Sequence, residues 1–312
     1  MIVTEQLTKV FNGTVAVQNL NLKIPRGTVI GFVGPNGAGK TTTMRLIIGL
    51  IMPTSGSAYI DGLKTSDEQN IARLHSKIGY LPEHYGLYES LTIERNLEFF
   101  ATLYNVNKQK IKENMKKLLT MLDIYNEKNK TIATLSKGMK QKVALSRAFI
   151  HEPDYIFLDE PTASLDPHSS KVVRDFIIEM KKQKKTIFIN SHNLPEIESV
   201  CDKVAIFNKV LLGYDTPSNL AKKIFAHRIC VELTTRIENV EKLKIDILTI
   251  KKINHIEITD RKLTFITSEP DTTNPEVVET LQKYGLKIRY IYEEKHSLED
   301  IYFRVLSHPK NK

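Results

Sequence analysis

Only two cysteines, Cys201 and Cys230, occur in 312 residues, and they lie far apart in sequence. They form no metal-type pair and are expected to be reduced thiols, not a disulfide framework. No run of eighteen apolar residues occurs, so nothing is expected to span a membrane. The start, Met1-Ile2-Val3-Thr4-Glu5-Gln6, lacks a basic segment followed by an apolar run, the form of a secretory signal. The expected location is the cytoplasm. Internal repeats and low-complexity segments are absent from the sequence. Aromatics do not interleave with the basic residues, and no DNA- or RNA-binding motif is present. Nucleic acid is therefore not an expected partner.

What is present reads as an ordinary globular chain, 41% hydrophobic and 26% charged, long enough for one large domain or two ordinary ones. The net charge is +9, from 45 Lys+Arg against 36 Asp+Glu. The densest basic run is Lys181-Lys182-Gln183-Lys184-Lys185. Such a run suits an anionic surface, but the favoured reading is a helix C-terminus, where lysines complement the dipole.

The most specific segment is Gly34-Pro35-Asn36-Gly37-Ala38-Gly39-Lys40-Thr41-Thr42. The apolar run Thr28–Val33 leads into it as a strand, and Thr43–Ile48 follows as a helix. This is a phosphate-binding loop in a strand–loop–helix setting. Its glycines let successive backbone N–H groups turn inward around an anion. The helix N-terminus adds a positive dipole end. Lys40 is placed for the outer phosphates and the Thr41 hydroxyl for a magnesium ion.

Around this loop the chain alternates strands and helices. Residues 1–27 suit edge strands turning at Asn12-Gly13, and Ser57–Gly62 is a strand ending in a turn. Residues 92–151 read mostly helical, with Met115, Leu118, Leu119 and Leu122 on one face. Strands are expected at 155–159 and 186–190, with a helix over 171–182 between them. The pattern implies a largely parallel sheet covered on both faces, with a helical insert. The character changes near Ala221. Beyond it, strands at 229–233, 253–258, 262–267 and 287–292 alternate with helices at 237–243, from Asn274-Pro275-Glu276 to Gly285, and at 297–306. That βαββαβα order suggests a ferredoxin-like α+β module without catalytic features.

Tyr155-Ile156-Phe157-Leu158-Asp159-Glu160 delivers two carboxylates at a strand end. Asp159 is expected to hold magnesium, and Glu160 to orient or deprotonate an attacking water. A plain polar strand terminus is the alternative, weakened by Lys40 and Thr41 upstream. Leu135-Ser136-Lys137-Gly138-Met139-Lys140-Gln141 lies before it. On its own it reads as an N-capped helix.

Together these motifs resemble the ATP-binding subunits of ABC transporters, over residues 1–220. The resemblance implies an α/β P-loop NTPase with a mostly parallel sheet and a helical subdomain at about 84–151. The C-terminal α+β module would then occupy 221–312. It implies that Ser136 and Gly138 bind ATP held by a second subunit, although Lys137 and Met139 depart from the family's Leu-Ser-Gly-Gly-Gln. It implies a dimer-coupling loop at Ala163-Ser164-Leu165-Asp166 and a γ-phosphate contact at His192. Gly79-Tyr80-Leu81-Pro82-Glu83 matches a segment that normally ends in glutamine; Glu83 is able to bind magnesium, though sensing of the membrane partner is put in doubt. Phe11 stands where the family stacks an aromatic on adenine; a core role is its alternative. The implied function is ATP hydrolysis, with ATP and Mg2+. The implied partners are a second copy or a similar ATPase, and integral membrane permease subunits on the inner face of the cell membrane. The Lys-Gly-Met-Lys-Gln run, the Pro-Glu pair and the C-terminal module resemble the export subgroup for drugs, peptide antibiotics or sodium. A soluble ATPase of the same fold in translation or DNA repair is the alternative.

Overall fold

The computed structural model describes residues 1–163 and 165–307. Strands β1 (Ile2–Phe11) and β2 (Thr14–Ile24) open the chain. Asn12 and Gly13 join them at φ 46° and 80°, the left-handed pair a two-residue hairpin needs. Then come β3 (Val29–Val33), α1 (Lys40–Ile47), β4 (Ser55–Ile60), β5 (Leu63–Lys64), α2 (Glu68–His75) and β6 (Ile78–Leu81). The insert contains α3 (Ile93–Leu103), α4 (Lys108–Met121) and α5 (Lys137–Phe149). The chain continues through β7 (Tyr155–Asp159), α6 (Pro167–Lys182), β8 (Thr186–Asn190), α7 (Leu194–Val200), β9 (Lys203–Asn208), β10 (Val210–Asp215) and α8 (Pro217–Ile224).

A six-stranded sheet runs β10-β9-β3-β8-β7-β6. All its pairings are parallel except β9 with β10. Every residue of β3, β7 and β8 is buried, as both-face coverage of a parallel sheet demands. A second, antiparallel sheet runs β2-β1-β4-β5. The two sheets share one apolar core, in which Leu20, Ile24 and Ile60 join Phe32, Phe157, Phe188 and Phe207. The Phe32 and Phe188 rings stack at 4.5 Å. Parallel register brings the C-terminal ends of β3, β6, β7 and β8 to one edge, where such sheets place ligands.

Two helices begin earlier than the sequence suggests. α1 starts at Lys40, directly after the loop, not at Thr43. α6 starts at Pro167, because the Asp166 carboxylate caps it by accepting the Ser169 N–H at 2.9 Å. The basic run does close a helix: Lys181 and Lys182 occupy the last turn of α6. Both cysteines are free and buried.

Residues 218–304 form a separate compact unit; the other comprises, among the described residues, those up to 217 and 305–307. The second unit holds β11 (His227–Leu233), α9 (Val240–Leu248), β12 (Ile253–Ile258), β13 (Lys262–Thr267), α10 (Pro270–Lys283) and β14 (Ile288–Glu293). Most of α11 (Leu298–Ser307) also belongs to it. Its antiparallel sheet runs β12-β13-β11-β14, the ferredoxin-like order. Val231, Leu243, Ile247, Leu263, Phe265, Val277 and Leu281 form its core. Two helix starts differ from expectation. α9 begins at Val240 under an Asn239 cap. α10 begins at Pro270, so Asn274 is no cap and Pro275 lies inside the helix. Buried Thr267 and Thr273 fix that earlier start: the Thr267 hydroxyl accepts the Glu269 N–H at 3.1 Å, and Thr273 donates to the Glu269 carbonyl at 2.9 Å.

Candidate functional site

The loop after β3 wraps a cavity of about 260 Å³. Asn36, Gly37, Ala38, Gly39, Lys40, Thr41 and Thr42 line one side; Glu83, Asp159, Glu160 and Asn190 line the other. Gly34 and Pro35 enter the loop, and their carbonyls accept from Lys40 Nζ at 2.8 and 3.1 Å. Gly39 caps α1 at φ +92°, and a Cβ there would stand 2.1 Å from the Ala16 carbonyl oxygen. Only glycine fits that backbone and that approach.

Lys40 is buried. Burial pushes its pKa down, and the charges of Glu160 and Asp159 offset part of that. An ammonium in such a place is short of anionic partners, which suits it to phosphate oxygens.

Asp159 is buried at the end of β7. One carboxylate oxygen, Oδ1, accepts from the Thr41 hydroxyl at 3.2 Å and from Asn190 Nδ2. The other, Oδ2, is buried and has no hydrogen-bond partner. Burial raises the Asp159 pKa, the Asn190 and Thr41 hydrogen bonds hold it down, and the neighbouring Glu160 and Glu83 raise it further. An orphaned buried carboxylate oxygen beside a threonine hydroxyl and a second carboxylate is a donor set that fits a hard divalent cation.

Glu160 follows in the left-handed region at φ 49°, uncommon for a residue with a Cβ. Its N–H donates to the Asn190 carbonyl at 2.8 Å. Its Oε2 lies 2.9 Å from Nδ1 of His192. His192 is itself exposed. The Pro161 carbonyl just beyond accepts from Gln141 Nε2 of α5 at 2.7 Å.

The chain does not bring every expected residue to this cavity. Ser136 caps α5, its hydroxyl accepting the Met139 N–H at 3.2 Å, and it is exposed. Neither Ser136 nor Gly138 lines the cavity. Phe11 ends β1 at 44% exposure, so it is not a core residue; Lys9 Nζ lies 4.9 Å from its ring centroid. Ser164, in the expected coupling loop, lies outside the described residues. Sequence reasoning passed over Asn190, which donates to both Asp159 and Thr41, the latter at 3.2 Å. The signal was an asparagine closing a buried strand directly after the apolar run Ile187-Phe188-Ile189.

A phosphate loop on one parallel strand, with a buried carboxylate on another two places away, defines a P-loop nucleotide hydrolase. Comparison with known proteins narrows the class. A family profile described as ABC transporter matches residues 17–163. The ABC transporter ATP-binding protein NatA of Bacillus subtilis (strain 168) is 40% identical over 194 residues, covering 62% of this chain and 78% of that protein. The bacitracin transport ATP-binding protein BcrA of Bacillus licheniformis is 38% identical over 224 residues, 72% of each. A solved structure of an ATP-binding subunit of an ABC transporter superposes with a TM-score of 0.66 at 28% identity, covering 72% of this chain and 92% of that one. The chain belongs to the ABC transporter ATP-binding proteins, which bind and hydrolyse ATP. Among the described residues, no helix is long and apolar enough to cross a membrane.

Proposed function

We propose that this chain powers an export-type ABC transporter as one of two ATPase subunits docked on separate membrane permeases at the inner face of the membrane. The observation that carries the site assignment is the buried, unpartnered Asp159 Oδ2 beside Thr41 in the phosphate-loop cavity. Likeness to NatA and to the bacitracin transport protein supports the export class. Residues 1–220 are the catalytic part, and 221–312 an accessory module.

Asn36 to Thr42 cradle the phosphates, and Lys40 exchanges its loop carbonyls for phosphate oxygens. Thr41, Asp159 and Glu83 hold magnesium, which when bound neutralises charge on the phosphate oxygens. Phe11 stacks on adenine. Glu160 orients the attacking water and accepts its proton, and His192 steadies that carboxylate from 2.9 Å. Ser136 and Gly138, which do not line their own cavity, complete the partner's on this reading, so each site needs two chains. Closure with ATP and opening after hydrolysis would then drive the permeases.

The test is capture of manganese, followed by electron paramagnetic resonance, with ATP present. The wild type should hold the ion and Asp159→Asn should hold it at least tenfold more weakly, with ATP affinity in the absence of metal unchanged. Equal capture by the variant would contradict the cation assignment.

A further inference from the structure

The second unit ends its sheet on an unusual edge. β14 is the outer strand beside β11, and Tyr290, Ile291 and Tyr292 are all 41% exposed or more. Edge strands of this apolar character invite pairing unless something blocks them.

The backbone orientation follows from one bond. The Glu294 N–H donates to the Arg228 carbonyl at 2.8 Å. Antiparallel ladders alternate inward and outward along a strand. In the register Ile229↔Glu293, Cys230↔Tyr292, Val231↔Ile291, Tyr292 therefore turns its N–H and C=O to β11. Ile291 and Glu293 turn theirs away from the sheet. The ladder is irregular between Tyr290 and Ile288, which leaves Arg289 as the extra residue at that end.

The side-chain order along this edge is symmetric in shape and antisymmetric in charge: Arg289, Tyr290, Ile291, Tyr292, Glu293. A two-fold axis through Ile291 sets two copies antiparallel. Ile291 then faces Ile291, each Tyr290 faces the other copy's Tyr292, and each Arg289 faces the other copy's Glu293, whose Oε1 also lies 2.7 Å from His227 Nδ1 of its own chain. The outward-turned N–H and C=O of Ile291 form the central hydrogen-bonded pair. Aromatic pairs and opposite charges directly across strands are favourable, and an isologous contact repeats each of them twice. The opposite, parallel arrangement would place Arg289 beside Arg289.

We propose that β14 is a self-pairing edge, and that its occupant is β14 of a second copy of this chain, with the axis at Ile291. The contact is small, so by itself it is weak. It acts as a second point of attachment between two chains already held by shared ATP sites, where high effective concentration makes a weak contact count. It rests on the dimeric reading of the function for that role. The pairing itself requires no nucleotide.

Charge reversal tests it on the full-length protein without ATP, by analytical ultracentrifugation across a concentration series. Arg289→Glu alone and Glu293→Arg alone should each weaken self-association at least tenfold. The double variant Arg289→Glu/Glu293→Arg should recover it, and so should an equimolar mixture of the two single variants. A cysteine at the axis gives a second reading. Cys201 and Cys230 are buried, so Ile291→Cys supplies an accessible thiol that should cross-link to its counterpart under mild oxidation. Tyr290→Cys, which faces Tyr292, should not. Association that ignores both reversals, or recovers in neither the double variant nor the mixture, would overturn the proposal. So would cross-linking at Tyr290→Cys equal to that at Ile291→Cys. ATP-dependent dimerisation of the same samples, measured separately, keeps this outcome apart from the fate of the shared-site reading.

Discussion

Glu160 Oε2 and His192 Nδ1 stand 2.9 Å apart, each in the loop that leaves one of two adjacent parallel strands, β7 and β8. The contact comes from register: Asp159 pairs with Asn190, so the residues just beyond them meet. Replacing Glu160 by glutamine keeps the size and removes the proton acceptor. Turnover should fall about 10²–10⁴-fold, the range for a lost general base, while ATP still binds. An ATP-bound dimer should accumulate in size-exclusion chromatography.

Asn190 is predicted to matter nearly as much as the residues that the motifs name. Its amide donates to Asp159 and Thr41 together, and it is buried. Asn190→Ala removes hydrogen bonds to a charged group, worth about 1.5–3 kcal/mol. Magnesium dependence of hydrolysis should shift to higher concentration, with less change in nucleotide affinity measured without metal.

The phosphate loop was legible because its chemistry sits in consecutive residues, and the flanking runs Val29–Val33 and Tyr155–Asp159 are wholly apolar apart from Gly31 and the terminal Asp159. Asn190 was not legible, because its role depends on which strand lies beside it. β7 and β8 become neighbours only in the folded sheet. The start of α10 was misread for a different reason. Pro270 and Pro275 both suit a helical first turn, and the choice is made by the buried Thr267–Thr273 contact at 3.1 Å.

Two glycines of the loop should separate conformation from space. Gly37 has φ +76° and open surroundings, whereas Gly39 has φ +92° and the Ala16 carbonyl against it. Gly37→Ala should cost about 1–2 kcal/mol, the left-handed penalty. Gly39→Ala should cost clearly more, because the Ala16 backbone must also move. Denaturant unfolding without nucleotide reads both.

His151 carries a pH effect. It stacks on Tyr104 at 3.7 Å, and its Nε2 lies 3.0 Å from the Ile78 carbonyl. Burial pushes its pKa down from 6.5 to about 4; the Ile78 contact opposes this and Lys185 adds to it. Between those values the unfolded chain holds a proton that the folded chain does not, so stability falls as pH drops through that window. His151→Gln should remove this share of the acid sensitivity. The loss of melting temperature from pH 7.5 to 5 should be smaller in the variant than in the wild type.

The central claim is that each ATP site is built from two chains, and one mixing experiment tests it directly. Ser136→Arg blocks the face offered to the partner, and Lys40→Ala disables the chain's own phosphate loop. Each variant alone should be nearly inactive. Mixed, they form a dimer in which one intact loop meets one intact Ser136, and ATP hydrolysis should return at one of its two sites. If the mixture stays as inactive as its components although the chains demonstrably exchange, or if Ser136→Arg alone hydrolyses ATP normally, the shared-site account is contradicted.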